Sequence, residues 1–352
     1  MKKTYRKIFY FLLAVGLLSG CILFTPVPTL ASAPDPMEVH FLDVGQGDAT
    51  LVTCGGHAML IDTGDDTRGT AIQNYLQKQK IDKLDYLILT HPDADHIGGA
   101  PVIITKFNID RVFISNFEKD NETYRKLIQS LDDKQIRPLT PRVNSIYTLG
   151  TASITILAPG REYDNPNDAS IALLLKDGAR SFLFTGDASE EAEKDLLETG
   201  VPISADVYKV GHHGSKYSTS GDFFKAVSPS YAVISCGVDN AYGHPHAETL
   251  NTLRTNGVMV YRTDEEGTII ASTDGKSITF NVPASESWKA GEQTGSGTPS
   301  VTVKPAYVLN TKTKKFHRPS CDSLPTVNRQ DSSESRESII AQGYSPCKKC
   351  NP

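Results

Sequence analysis

Six of the nine histidines in this 352-residue chain sit directly behind runs patterned as β-strands. The apolar run Tyr86–Thr90 leads into His91-Pro92-Asp93-Ala94-Asp95-His96, where His91, Asp93, Asp95 and His96 are all potential metal ligands. A lone His or Asp behind a strand usually forms a turn or caps the next helix, and Asp95 before Ile97-Gly98-Gly99 fits a cap. Packing does not call for four such groups together; metal coordination does. The run Ser181–Thr185 ends in Gly186-Asp187. Val207–Val210 ends in Gly211-His212-His213-Gly214-Ser215, and Ala232–Ser235 leads through a short loop to Tyr242-Gly243-His244-Pro245-His246. One sheet edge could gather these loops into one centre, so the fold must carry several strand ends on the same side.

The surrounding pattern supports such a fold. From Met37 to about Pro283 the chain is one body without an internal linker. Strand-like runs recur at 39–44, 49–53, 58–62, 86–90, 111–115, 153–157, 171–175, 181–185, 207–210, 232–235, 259–262, 268–272 and 277–282. Helical patterns fall near 69–80, 121–133, 189–199, 219–227 and 246–256. In both halves strands come first as a meander and later alternate with helices, which predicts two β-sheets packed face to face with helices outside. Residues 284–304 read as a flexible linker by composition, and 305–352 as a small separate module.

Residues 1–36 read as an export signal and spacer: Lys2, Lys3, Arg6 and Lys7 precede a chargeless apolar run from Ile8 to Phe24. Two processing sites compete. Leu18-Ser19-Gly20-Cys21 has the form of a lipobox, although Ile22-Leu23-Phe24 continues the apolar run beyond it. Ala31-Ser32-Ala33 has the A-x-A form, although Pro34 follows it. Lipidation, plain secretion and an uncleaved anchor all place the body outside the cytoplasm, with membrane contact only through that N-terminus. Without the four N-terminal basic residues, 32 Lys and Arg face 41 Asp and Glu. Bulk charge therefore excludes a general polyanion binder. Cys54 and Cys236 read as buried thiols in preference to a disulfide.

Asp62-Thr63-Gly64, the His91–His96 box, Gly186-Asp187 and Gly243-His244 occur in the order found in metallo-β-lactamase-fold hydrolases. The fuller set, from Phe41-Leu42-Asp43-Val44-Gly45-Gln46-Gly47-Asp48-Ala49 through Thr90–Gly99 and Gly211–Ser215 to Tyr242–His246, resembles the hydrolase domain of ComEC-type competence proteins over about 37–283. The resemblance implies an α/β fold of the αββα sandwich type with up to two divalent metals, zinc or manganese, at one edge. It implies that His91 and Asp93 hold one metal, that Asp95, His96 and His244 hold the second, and that Asp187 bridges them. Asp62 would stand behind the ligands and orient them. Asp43, Gln46 and Asp48 lie in the family's signature turn, where site contact and turn formation are both open. One of His212 and His213 would face substrate or metal, with proton donation to a leaving group as the catalytic role, and His246 rivals His244.

Two departures bear on the metal. The wider superfamily has a histidine where this chain has Asp93, and a further ligand histidine before the bridging aspartate; Asn167, Asp168 and Ser170 occupy that region here. The first site is thus richer in oxygen, which favours harder ions such as Mn²⁺ or Mg²⁺.

In the tail, His317-x3-Cys321 and Cys347-x2-Cys350 form a ligand set of structural-zinc type, in a module too poor in apolar residues to fold well unaided. It resembles the N-terminal metal-binding domain of the Ada repair protein, with His317 at the position of a cysteine on which that domain's methyl-transfer chemistry depends. DNA contact is the implication that could carry over, consistent with a local excess of basic residues, and a solvated face around a structural zinc is the other reading of that charge. The combined expectation is an exported, metal-dependent phosphodiesterase acting on DNA. The alternatives are a surface phosphodiesterase acting on teichoic acid phosphocholine, and a non-catalytic DNA-binding component of an uptake apparatus. No protein partner is expected.

Overall fold

The computed structural model describes residues 36–291, and 307–350 apart from 320, 322 and 333–335. The expected export segment, with Cys21, and most of the expected linker lie outside the described residues. No helix among the described residues is long and apolar enough to cross a membrane.

The body contains β1 (Met37–Phe41), β2 (Thr50–Cys54), β3 (His57–Ile61), β4 (Lys83–Leu89), β5 (Asn108–Ile114), β6 (Ile146–Leu149), β7 (Ala152–Ala158), β8 (Ala172–Asp177), β9 (Arg180–Phe184), β10 (Val207–Lys209), β11 (Tyr231–Ile234), β12 (Met259–Arg262), β13 (Ile269–Thr273) and β14 (Ile278–Phe280). They form two seven-stranded sheets, β14-β13-β1-β2-β3-β4-β5 and β12-β11-β10-β9-β8-β7-β6. In each sheet an antiparallel meander gives way to parallel strands: β3, β4 and β5 in the first, β9, β10, β11 and β12 in the second. Parallel neighbours need crossovers, and the intervening helices supply them.

Alternation along the strands builds the layers. Val39, Phe41, Val52, Met59 and Ile88 of the first sheet meet Ile154, Ile156, Leu173, Leu175, Phe182 and Phe184 of the second in one buried core. Phe41 and Phe184 stack across the interface with ring centroids 6.1 Å apart. The opposite face of the first sheet, through Leu51, Leu60, Leu87 and Leu89, packs on Ile72, Leu76, Ile103, Leu127 and Leu131 of its helices. Leu174, Leu183, Ala232 and Ile234 of the second pack likewise on Leu196, Phe223, Leu250 and Leu253. Each buried Leu or Ile contributes about 1.5–3 kcal/mol by leaving water, so both faces of both sheets are committed to the core. This is the αββα arrangement.

Besides the four-residue helices Ala94–Ile97 and Thr263–Glu266, a strand and a longer helix of the body were not foreseen. The strand β6 has only four residues and sits at the sheet edge, with Ile146 68% exposed and only Tyr147 and Leu149 turned to the core, a stretch too short for alternation to mark it. The helix Ala100–Lys106 contains Val102-Ile103-Ile104-Thr105, a β-branched run of low helical preference. Burial of Ile103 and Ile104 under the sheet overrides that preference.

Residues 284–291, expected to begin a flexible linker, instead lie on the body. Trp288 and Ala290 pack against the outer core of the second sheet. The guanidinium of Arg262, paired with Asp264 at 2.7 Å, donates to the carbonyl of Lys289 at 2.7 Å. An indole and a set of backbone groups find partners here that a composition-based reading does not anticipate.

In the tail, β15 (Tyr307–Asn310), β16 (Lys315–His317), β17 (Arg329–Ser332) and β18 (Ser345–Pro346) form one sheet in the order β17-β15-β16-β18. Its buried apolar core consists of Leu309, Phe316, Ile339 and Tyr344.

Candidate active site

The loops that follow β3, β4, β9, β10 and β11 meet at one edge of the sandwich. At their centre is Asp187, buried, with Oδ1 3.3 Å from His96 Nε2. Its Oδ2 is 3.7 Å from His91 Nε2, 3.7 Å from His212 Nε2 and 3.6 Å from His213 Nε2. The backbone of Asp187 is fixed by its N–H, which donates to Ser170 Oγ at 3.1 Å. Gly186 before it has φ +53°, and a Cβ there would lie 2.8 Å from Ser170 Oγ. Only glycine fits that turn. Ser170 thus braces the bridging aspartate in the region where the wider superfamily has another ligand, while Asp168 accepts from the backbone and side chain of Ser189.

The His91–His96 box divides. His91 and His96 are buried with ring centroids 4.1 Å apart. Asp95 reaches His213, Oδ2 to Nε2 3.3 Å. Asp93 turns away to accept from Lys119 Nζ at 2.7 Å. The structure does not bring Asp93 to Asp187, because a lysine on a neighbouring loop is the nearer cation. Asp62, with φ +58° at the end of β3, accepts from the backbone N–H of Thr90 at 2.7 Å, from its hydroxyl at 2.7 Å and from His96 Nδ1 at 2.9 Å. With Nδ1 donating to Asp62, His96 turns Nε2 toward Asp187, where the neutral tautomer would offer its lone pair to a cation. This is how a carboxylate orients a metal-binding imidazole.

The two histidines of Gly211–Gly214 have separate positions. His212 (φ +50°) is a quarter exposed and faces the mouth, whereas His213 (φ +57°) is buried. His213 Nδ1 donates to the Ser235 carbonyl at 3.0 Å and lies 3.2 Å from Asp48 Oδ1. His244 is one ring further out: its centroid is 6.0 Å from that of His213, and Tyr242 stacks on it at 5.6 Å. Gln46 Nε2 lies 3.4 Å from His244 Nδ1. His246 accepts from the backbone N–H of Lys216 at 3.1 Å and is not brought to Asp187. Asp43 is exposed and accepts from Gly45 N–H, which makes it a turn former.

Asp48, in the signature turn, is buried beside His213 and accepts from Lys209 Nζ at 2.8 Å. The available signal was Lys209 itself: a lysine inside the apolar run Val207–Val210 can be buried only with a carboxylate to meet it.

The electrostatics describe a cation site. Burial disfavours charge on Asp95 and Asp187, yet the His213 and His96 imidazoles beside it hold Asp95 down at about 2. The charges of His96, His213 and His212 hold Asp187 well below the usual carboxylate range. Conversely, burial opposes charge on His213, but Asp187 and Asp48 lift it to about 10. His244, desolvated and facing three other histidines, is pushed down to about 2. Carboxylates that stay ionised by holding protons on imidazoles can exchange those protons for a divalent ion. The donor set fits one: Asp48, His96, Asp187 and His213 offer ligand atoms within 4.8 Å of one another. His91 Nε2, His96 Nε2, His213 Nε2 and Asp187 Oδ1 are buried without a hydrogen bond.

The tail holds a second set. His317, Cys321, Cys347 and Cys350 offer ligand atoms within the same 4.8 Å span. The three thiols are free, and His317 Nδ1 is buried without a hydrogen bond. Backbone N–H groups of Lys349 and Cys350 draw the Cys347 thiol down to about 7, and Arg318 N–H donates to Cys350 Sγ at 3.4 Å. Such N–H to sulfur contacts stabilise thiolate, the metal-binding form.

The metal-coupled fold has counterparts among known proteins. Residues 42–238 match the family model described as the metallo-beta-lactamase superfamily. The chain is 32% identical over 267 residues to ComE operon protein 3 of Bacillus subtilis, covering 70% of this chain and 34% of that protein. It is 33% identical over 237 residues to Recombination protein 2 of Haemophilus influenzae, covering 66% and 28%. It is 31% identical over 263 residues to Competence protein ComA of Neisseria gonorrhoeae, covering 73% and 35%. The chain therefore spans about a third of the length of these relatives. Strand order, gathered ligands and family match agree: the chain belongs to the metallo-beta-lactamase superfamily, and the part they share is of the ComEC hydrolase-domain type.

Proposed function

We propose that this protein is an exported phosphodiesterase that hydrolyses DNA at the Asp187 centre, with the tail contributing DNA contact. The observation that carries the reading is the convergence of His91, His96, His213 and Asp187 through buried atoms that have no hydrogen bond. The competence-related names of the relatives favour nucleic acid over cell-wall polymers as substrate.

His91, Asp95, His96, Asp187 and His213 would hold up to two divalent ions. Such ions supply Lewis acidity and a water nucleophile near neutral pH. The chain's own residues do the rest. Asp62 and Thr90 lock the His96 ring, and Ser170 locks Asp187. His212, at the mouth and 3.7 Å from Asp187, is placed to give a proton to the leaving oxygen. With Asp93 held by Lys119, the set of imidazoles and carboxylates at the Asp187 centre suits zinc or manganese, and the tail's three thiols and one imidazole suit structural zinc.

The test is a gel assay of the protein from residue 37 onward on circular and linear DNA with Mn²⁺, Mg²⁺, Zn²⁺ or EDTA, beside Asp187→Ala. Cleavage that needs the cation and vanishes in the variant is expected. Tight DNA binding without turnover in any cation would favour the uptake component. Neither binding nor cleavage would point to cell-wall phosphodiesters.

A further inference from the structure

Two consecutive non-glycine residues, His212 and His213, adopt left-handed backbone conformations at φ +50°, ψ +46° and φ +57°, ψ +23°. Left-handed backbone is disfavoured for any residue with a Cβ, and two in succession persist only where surrounding contacts over-determine them. The contacts on His212 are backbone ones: its N–H donates to Gly186 O at 3.1 Å, and Ser215 N–H returns to its carbonyl at 2.9 Å. His213 is held through its ring, by the Ser235 carbonyl and by Asp48.

Asp48 comes from the opposite sheet, and it is held by Lys209 at the end of β10, four residues before His213. Lys209 and Asp48 are 3% and 5% exposed. Nζ donates to Asp48 Oδ2 at 2.8 Å and to the Val210 carbonyl at 3.2 Å. Behind the pair lies a cavity of about 10 Å³, lined by Asp48, Asp62, Thr90 and Lys209 among others, which has room for about one water. Lys209 therefore does not reach the mouth where a phosphate would arrive. A buried ion pair is costly to form and seldom retained for stability alone.

We infer that Lys209 is a positioning residue: through Asp48 it fixes the strained His212–His213 turn so that His213 Nε2 points at Asp187 and Asp95. Asp48 Oδ1, 3.2 Å from His213 Nδ1, then backs that imidazole by its charge, while the Nδ1 proton goes to the Ser235 carbonyl. The inference rests on the reading that the Asp187 centre binds a divalent cation.

The experiment is a titration of the full chain with Mn²⁺, an ion that the thiolate-rich tail disfavours, read by the electron spin resonance of free Mn²⁺. Lys209→Met should weaken binding about 10–100-fold, the usual cost of losing an outer partner of a ligand. Asp48→Asn should weaken it similarly, and Lys209→Met on the Asp48→Asn background should add little, because the lysine acts through the aspartate. If Lys209→Met leaves Asp48 too exposed to charge to fold, the double variant, with neither charge, still reports. Wild-type affinity in Lys209→Met or in the double variant overturns the inference. So does a full second loss when Lys209→Met is added to Asp48→Asn. A wild-type protein that binds no Mn²⁺, Mg²⁺ or Zn²⁺ at this centre removes the cation reading itself, a different failure.

Discussion

At the scale of single residues, the centre depends on groups that never touch the cation. Asp62 spends both oxygens on Thr90 and His96, so Asp62→Asn should leave the fold intact and weaken Mn²⁺ binding about 10–100-fold, measurable by titration. A second prediction concerns Glu193, which lies under the loop after the histidine turn and accepts from Thr219 and Ser220 N–H groups. Burial raises its carboxyl from an ordinary 4.5 to about 7. The folded state thus holds a proton that the unfolded chain has released, and this contribution to stability is lost as pH rises from about 4.5 through 7. The difference in Tm between wild type and Glu193→Gln should fall across that window; a constant difference would contradict it. The ligand types were legible in the sequence because His, Asp and their placement after strands are local signals. Their sharing-out was not. Asp93 goes to Lys119, and His213 stands nearer Asp187 than His244, through contacts between segments distant in sequence.

At the scale of elements, periodicity gave nearly the whole sandwich, because both faces of each sheet are buried and the strands between helices are strongly patterned. It failed where tertiary contact decides: the edge strand β6, the β-branched helix at 100–106, and the strap at 284–291. The strap reaches the site. Gly291 N–H donates to the Pro245 carbonyl at 3.0 Å, and a Cβ at Gly291 would lie 2.3 Å from the His244 carbonyl oxygen. Gly291→Ala should therefore lift the strap from the His244 loop at a cost of about 1–3 kcal/mol. The single tryptophan, Trp288, makes this readable: its emission should shift red as the indole leaves the body. Unchanged emission and Tm would show the contact to be unimportant.

At the scale of the whole molecule, an acidic body carries a basic tail whose buried core is Leu309, Phe316, Ile339 and Tyr344. A core this small among the described residues is expected to depend on a metal at the His317, Cys321, Cys347 and Cys350 cluster. Chelation should release the tail to proteolysis while residues 36–291 stay folded. Loss of 305–352 should reduce cleavage of long DNA, most of all at low salt where the tail's phosphate contacts are strongest, without changing hydrolysis of a small diester. Equal losses on both substrates would show that the tail supports the body instead. The proposed cation-dependent phosphodiesterase activity of the Asp187 centre is tested by hydrolysis of bis(p-nitrophenyl) phosphate. Protein stripped of metal should be inactive, regain turnover when Mn²⁺ is restored, and stay at background as Asp187→Ala. Absence of turnover with Mn²⁺, Mg²⁺ or Zn²⁺ bound, or equal turnover in Asp187→Ala, would contradict it.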